Sequence, residues 1–321
     1  MNNIYKCNIC QNELNNVRYY VREMMYGSRK KYEYLLCSNC NTLQLKNNDK
    51  DIQKYYPKDY YSYSNNIVDQ NAFLIKQAKL IRYKLVLEWK ESFISKIIKR
   101  KIPLYNYLSL SNVSKSSSIL EIGCGNGSLL CWLANEGFEK LVGIDPYIDK
   151  DIYYKNGVSI YKKYLSDISG KYDIIILNHV FEHFENPHTE IISLKKLLND
   201  NGKIIIRTPV MDKWAWREYA ENWVQIDAPR HFYIYSEQSM RYICNLYNLV
   251  VTGVYYDSDV FQFWGSIQNQ KNIPLNDNRS WVVNKKTSIF TEKEIDFYKK
   301  KSQELNLAFD GDQACFLIEI L

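Results

Sequence analysis

The sequence predicts an α/β protein: a doubly wound, mostly parallel sheet preceded by a small cysteine ribbon and a long linking helix. Three observations carry this expectation. Beyond residue 103, short apolar runs alternate with helical stretches, the pattern of strands covered by crossover helices. One of these runs, Ser118-Ile119-Leu120-Glu121-Ile122, opens directly into Gly123-Cys124-Gly125-Asn126-Gly127. Glycines at alternate positions let the chain turn sharply and let a bulky ligand lie against the backbone. Ahead of both, two C-x2-C pairs lie within the first 48 residues.

The chain divides at composition shifts into residues 1–48, 49–102 and 103–321. In the first segment, Cys7-x2-Cys10 and Cys37-x2-Cys40 are separated by 26 residues. Each pair places two thiolates on one side of a tight knuckle, and two knuckles complete a tetrahedral four-cysteine site that suits zinc. Val17-Arg18-Tyr19-Tyr20-Val21 and Lys31 to Leu36 between them read as short strands, which makes a zinc ribbon. Four cysteine ligands leave no open position, so this zinc is expected to be structural.

The second segment begins with a tyrosine-rich link, Tyr55 to Tyr63. Leu74, Ala78, Ile81, Leu85, Trp89, Phe93 and Ile97 then recur at helical spacing. From there the expected strands are Ile119–Ile122, Leu141–Ile144, Val158–Tyr161, Asp173–Leu177, Lys203–Arg207, Val250–Tyr255 and Ala314–Ile320. Helices are expected over Leu129–Asn135, His188–Leu198 and Ser236–Tyr247.

Composition bounds the class. With 46% hydrophobic and 24% charged residues over 321 positions, the chain reads as globular. No apolar run approaches the roughly 18 residues of a membrane span. Met1 to Asn12 is polar and holds two cysteines, which is unlike a secretory leader, so the cytoplasm is the expected location. The net charge of +6 is uneven: residues 1–64 carry +4, residues 65–101 carry +6 and the remainder −4. A solvated lysine-rich helix face accounts for this, with peripheral contact to an anionic membrane as the secondary reading.

The cofactor is read from the loop and the next strand end. Asp145 lies 18 residues beyond Gly127, where an acid accepts hydrogen bonds from ribose hydroxyls. Gly123, Gly125 and Gly127 read G-x-G-x-G, not the G-x-G-x-x-G that seats a pyrophosphate. Glu121 would repel phosphate but pair with a cationic amino-acid end. These features favour S-adenosylmethionine over a dinucleotide.

Residues 117–210 resemble the class I S-adenosylmethionine-dependent methyltransferases. The E-I-G-C-G-N-G run resembles their first motif and Gly143-Ile144-Asp145-Pro146 the second. Tyr172 to Pro187, ending in E-H-x-x-x-P, resembles the fourth-strand motif, and Asn201 to Pro209 the fifth. The resemblance implies a Rossmann-like, seven-stranded methyltransferase sheet. It implies that Glu121, Gly123, Gly125, Asn126 and Gly127 flank the methionine end of the cofactor, that Asp145 takes the ribose, that Tyr164 and Leu165 border the adenine, and that Asn178 meets the methionine moiety. Asp227 to Tyr233 and Phe261 to Ser266 further resemble a bacterial group that accompanies surface-polysaccharide or modified-sugar biosynthesis, many of whose members carry a four-cysteine module. A sugar or nucleotide-sugar acceptor is the implied substrate.

Methyl transfer is an in-line displacement in which the acceptor must be positioned and its proton removed. Of the four histidines, His183 and His231 are the candidate bases, with Glu182 beside them; His179 and His188 read as structural. A divalent-metal site at Glu182 and His183, as in the ubiquinone-pathway O-methyltransferases that share an E-H motif, lacks an evident second acid. Arg230 could hold an acceptor phosphate or carboxylate. Trp223, in an insertion after the fifth strand, and Tyr60, in the link, are expected against the acceptor. The competing reading is an RNA methyltransferase whose zinc ribbon binds nucleic acid. Against it, strand four ends Leu177-Asn178-His179-Val180 rather than in the Asn/Asp-Pro-Pro-aromatic motif of exocyclic-amine methylation.

Overall fold

The computed structural model describes residues 5–46 and 113–321. The tyrosine-rich link with Tyr60 and the long helix lie outside the described residues.

The ribbon holds three strands, β1 (Val17–Arg22), β2 (Lys31–Leu36) and β3 (Leu43–Leu45). The first two pair antiparallel from Val17↔Leu36 to Arg22↔Lys31. Alternation along β2 buries Tyr32 and Tyr34, which join one continuous core with the larger domain.

The larger sheet begins with β4 (Ser118–Ile122), followed by α1 (Ser128–Asn135), β5 (Lys140–Ile144), β6 (Ile152–Tyr153) and β7 (Ser159–Tyr161). Then come β8 (Tyr172–Asn178), α2 (Pro187–Leu197), β9 (Leu198–Pro209), α3 (Trp214–Tyr219), β10 (Tyr233–Ile234) and α4 (Glu237–Leu246). The chain continues through β11 (Leu249–Tyr256), α5 (Phe261–Gln270) and α6 (Glu292–Leu307) to β12 (Gln313–Ile320). Strand order is β11-β12-β9-β8-β4-β5-β7-β6. The five strands β7, β5, β4, β8 and β9 are mutually parallel, while β12 runs antiparallel to both β9 and β11. Ile174 to Leu177 and Ile204 to Ile206 are buried, as a parallel sheet covered on both faces requires. The order reverses at β4, and the cleft opens there, at the carboxyl ends of β4, β5 and β8.

This is the expected α/β sheet, with eight strands among the described residues rather than seven. The additional strand, Ile152–Tyr153, is too short to show any alternation in sequence. β9 begins at Leu198, ahead of the expected Lys203, so Asn201-Gly202 lies inside it. Helices α3, α5 and α6 were not anticipated, although Thr291 and Glu294 form a reciprocal capping box at the start of α6.

The ribbon is stitched to the larger domain. β10 adds to β3 as a fourth, antiparallel strand, pairing Tyr233 with Gln44 and Ile234 with Leu43. Arg22 donates to Asn222 Oδ1 at 2.8 Å and to the Asn269 carbonyl at 2.7 Å, and Leu275 N donates to Met24 O at 2.8 Å.

Candidate active site

At the carboxyl end of β4 the backbone folds over the end of β5: Gly123 N and Cys124 N both donate to Ile144 O, at 2.8 and 3.2 Å. Gly123 has φ +65°, and a Cβ there would sit 2.4 Å from Val180. Gly127, at φ +77°, caps α1 with Ile160 pressed against its Cα. The two glycines serve different ends. The first lets the loop run beneath Val180, whereas the second packs α1 onto β7.

The cleft above this loop encloses about 620 Å³. Glu121, Gly123, Gly125, Asn126, Asp145, Tyr164, Leu165 and Asn178 all line it. Gly127 does not. Asp145 accepts from Gly125 N at 2.9 Å and Tyr147 N at 2.8 Å, which fixes its carboxylate at the tip of β5. Glu121 is buried, and its Oε2 has no hydrogen-bond partner among the described residues. Burial, with the nearby Asp145 charge adding to it, pushes the Glu121 carboxyl up to about 8. An acid in this state is costly to ionise alone and would gain from a cation. The ammonium and sulfonium of S-adenosylmethionine meet that need, and the residues fit the cofactor.

The histidines of this cleft follow the end of β8. His183, at the end of the short 3-10 turn Phe181–His183, lines the cleft. Its Nδ1 lies 2.9 Å from Arg230 O, so this nitrogen carries the proton and Nε2 is the basic one. Burial, together with the charge of His231, lowers the imidazole to about 4, so the ring is neutral at pH 7. His231 lies behind it, with ring centroids 4.7 Å apart, and its Nδ1 donates to Gln225 O at 2.8 Å. Glu182 is fully buried. It accepts from Thr208 Oγ1 at 2.9 Å and faces His179 Nδ1 at 3.3 Å. Burial pushes the Glu182 carboxyl up, but the His179 hydrogen bond and the three surrounding imidazoles outweigh it and hold the group at about 2. Ligand atoms of Glu182, His183 and His231 lie within 4.8 Å of one another. Sequence reasoning set His179 aside. It lines the cleft at φ +55° and links Glu182 to Arg207, whose Nη1 is 2.6 Å from its Nε2. Tyr147, Val180 and Phe232 also line the cleft unanticipated.

Two expected acceptor contacts fall elsewhere. Arg230 is wholly buried, its guanidinium paired with Asp227 through Nε and Nη2. Trp223 is buried, donating Nε1–H to Asp312 Oδ2 at 2.9 Å. Among the described residues neither reaches the cleft. Both were read from side-chain chemistry, which does not say which way a loop turns.

The cysteines come together as expected. Gln11 N donates to Cys7 O and Asn41 N to Cys37 O, both at 3.0 Å, and Gln11 and Asn41 are both left-handed. The two knuckles therefore repeat one geometry. Cys7 and Cys40 Sγ are 3.7 Å apart and Cys10 and Cys37 Sγ 3.5 Å, with all four sulfurs within 4.8 Å of one another. A zinc tetrahedron with bonds of about 2.3 Å sets sulfurs about 3.8 Å apart, so the cluster is compatible with zinc. Disulfides at about 2.05 Å are excluded.

The family model described as a methyltransferase domain matches residues 93–254, half of the chain. The chain belongs to this methyltransferase family. It carries a class I S-adenosylmethionine-dependent methyltransferase domain, on the fold and loop described above. Among curated proteins, this methyltransferase is 32% identical over 154 residues to the ubiquinone biosynthesis O-methyltransferase of Rickettsia conorii, covering 43% of this chain and 51% of that one. It is 30% identical over 109 residues to the tRNA U34 carboxymethyltransferase of Campylobacter hominis, covering 30% and 38%. The chain thus spans about half the length, or less, of these curated relatives. Among solved structures, the magnesium protoporphyrin IX methyltransferase of Synechocystis with bound SAH aligns at a TM-score of 0.41 and 17% identity, over 64% of this chain and 92% of that one.

Proposed function

We propose that this methyltransferase transfers a methyl group from S-adenosylmethionine to a hydroxyl of a small acceptor, a sugar or nucleotide-linked sugar, with His183 receiving the acceptor proton. The observation that carries the reading is the gathering of these groups in one cleft: Glu121 and Asp145 line it, and so does the neutral imidazole of His183. Bound S-adenosylmethionine supplies an electrophilic methyl on a sulfonium. The chain's own groups do the rest. Glu121 would hold the cationic amino-acid end, Asp145 the ribose hydroxyls, and Tyr164 and Leu165 the adenine. Neutral His183 takes a proton through Nε2 as the acceptor oxygen loses electron density, and the buried Glu182 carboxylate stabilises the imidazolium that results.

The four cysteines hold a structural zinc in this reading. The paired knuckle geometry supports it, and metal analysis of the purified protein should find one zinc per chain, lost in Cys37→Ser. No helix among the described residues is long and apolar enough to cross a membrane.

A second reading keeps the cofactor and changes the acceptor. The similarity to a tRNA U34 carboxymethyltransferase favours RNA. Methyl-labelled S-adenosylmethionine incubated with a nucleotide-sugar panel and, separately, with total tRNA separates the two. Label in the sugars alone supports the first reading, and label in tRNA alone replaces it with the second.

A further inference from the structure

We infer that the ribbon is an active-site brace that positions the histidine pair, and that Tyr34 is the positioning residue at its centre. This rests on the proposed role of His183 and adds to it a reason for the cysteine module.

The segment from Arg230 to Ser236 lies between the ribbon and the 3-10 turn that carries His183. On its ribbon flank nearly every group is tied. The Tyr34 hydroxyl donates to His231 O at 2.9 Å. Leu45 N donates to Phe232 O at 2.8 Å. Tyr233 and Ile234 form the ladder with Gln44 and Leu43. Ser236 Oγ donates to Cys40 O at 2.6 Å, on the second cysteine knuckle itself. On its other flank the same segment reaches the reacting side: Phe232 N donates to Glu182 O at 2.8 Å, and Arg230 O accepts from His183 Nδ1. The carbonyl that fixes the His183 tautomer is thus one peptide away from the carbonyl that Tyr34 holds.

Tyr34 is fully buried, and its pairing to His231 O spans 197 residues of sequence. A buried carbonyl left without its donor keeps an uncompensated desolvation cost, which favours turning it toward another partner. Turning the peptide at His231 moves its ring, which meets His183 edge-on at 4.7 Å. Burial keeps the Tyr34 hydroxyl protonated well above its ordinary range, so it remains a donor at every working pH. The edge of β3 is occupied by β10, so this face of the ribbon is turned inward.

The chain has only four histidines, so their ring resonances can be followed one by one in protein labelled with nitrogen-15 at histidine. His188 is a built-in control: its ring bridges Asn8 O at 2.8 Å and Tyr247 OH at 3.0 Å, at a different ribbon contact. In Tyr34→Phe, the His231 and His183 resonances should move, His183 should lose its predominance of the Nδ1–H tautomer, and His188 should stay in place. S-adenosylmethionine affinity, measured by calorimetry on the same samples, should stay within twofold of wild type, because among the described residues neither Tyr34 nor His231 lines the cleft. Ser236→Ala, which frees the segment from Cys40, should move the same two histidines. Unmoved His183 and His231 in both variants overturn the inference. So does displacement of His188 along with them, which would make Tyr34 a prop of the whole ribbon. A wild-type protein that binds no S-adenosylmethionine would overturn the cofactor reading instead and leave the histidine comparison intact.

Discussion

Glu121 shows how one side chain can carry a cofactor argument. In the chain alone its carboxyl is pushed up to about 8, so near pH 7 it is mostly protonated. A bound cation favours the ionised form, and binding must then expel a proton. Calorimetry at pH 7 in buffers of differing ionisation enthalpy should detect that release, and Glu121→Gln should abolish it; equal proton release in the two proteins would contradict this role. His183 makes a different pH prediction. Its ring sits at about 4 in the folded protein against an ordinary value of 6.5. Between those values the unfolded chain binds a proton that the folded chain does not, so stability falls as pH falls through this window. His183→Gln should flatten that part of the melting-temperature profile. It should also cut turnover by about 10²–10⁴-fold, the range of a lost general base, with cofactor affinity unchanged. Wild-type turnover should hold steady through pH 6.5 and decline only toward about 4. That Glu121, Asp145 and Asn178 line one cleft was legible in sequence, because they sit at or near strand ends. The acceptor side was less so. Arg230 and Trp223 have the right chemistry, yet their loop turns them into the interior.

At the scale of elements, legibility followed burial. Strands β4 and β8 are buried along most of their length and match their expected limits to within one residue, whereas β9 was read from its buried run Ile204–Ile206 and begins earlier, at Leu198. Strands β6 and β10 have two residues each, too few for alternation to show, and β10 is moreover defined by a partner in the ribbon, far away in sequence. The glycine loop is where local and tertiary demands coincide. Gly123→Ala would put a Cβ 2.4 Å from Val180 at a left-handed φ. Backbone strain of about 1–3 kcal/mol is expected, seen as a lowered denaturant midpoint, together with weaker cofactor binding. A wild-type midpoint in that variant would mean that the loop has room to spare.

At the scale of the whole molecule, the ribbon and the larger domain share a sheet. Sequence suggested a module followed by a link, because the cysteines cluster before residue 48. What sequence could not show is that β10, nearly two hundred residues later, completes the ribbon's own sheet. Two consequences follow. Stripping the proposed zinc with a chelator should lower the melting temperature of the whole chain in a single transition, whereas an early separate ribbon transition would mean that the two parts are independent. The proposed cofactor wall, at the ends of β4 and β5 and the loop between them, should respond to changes at its own residues. Calorimetric titration of the zinc-loaded protein with S-adenosylmethionine therefore decides most. The structure predicts one site per chain with a dissociation constant on the order of micromolar, weakened at least tenfold in Asp145→Ala. A folded protein that takes up no S-adenosylmethionine, or an Asp145→Ala variant that binds as tightly as wild type, would contradict it.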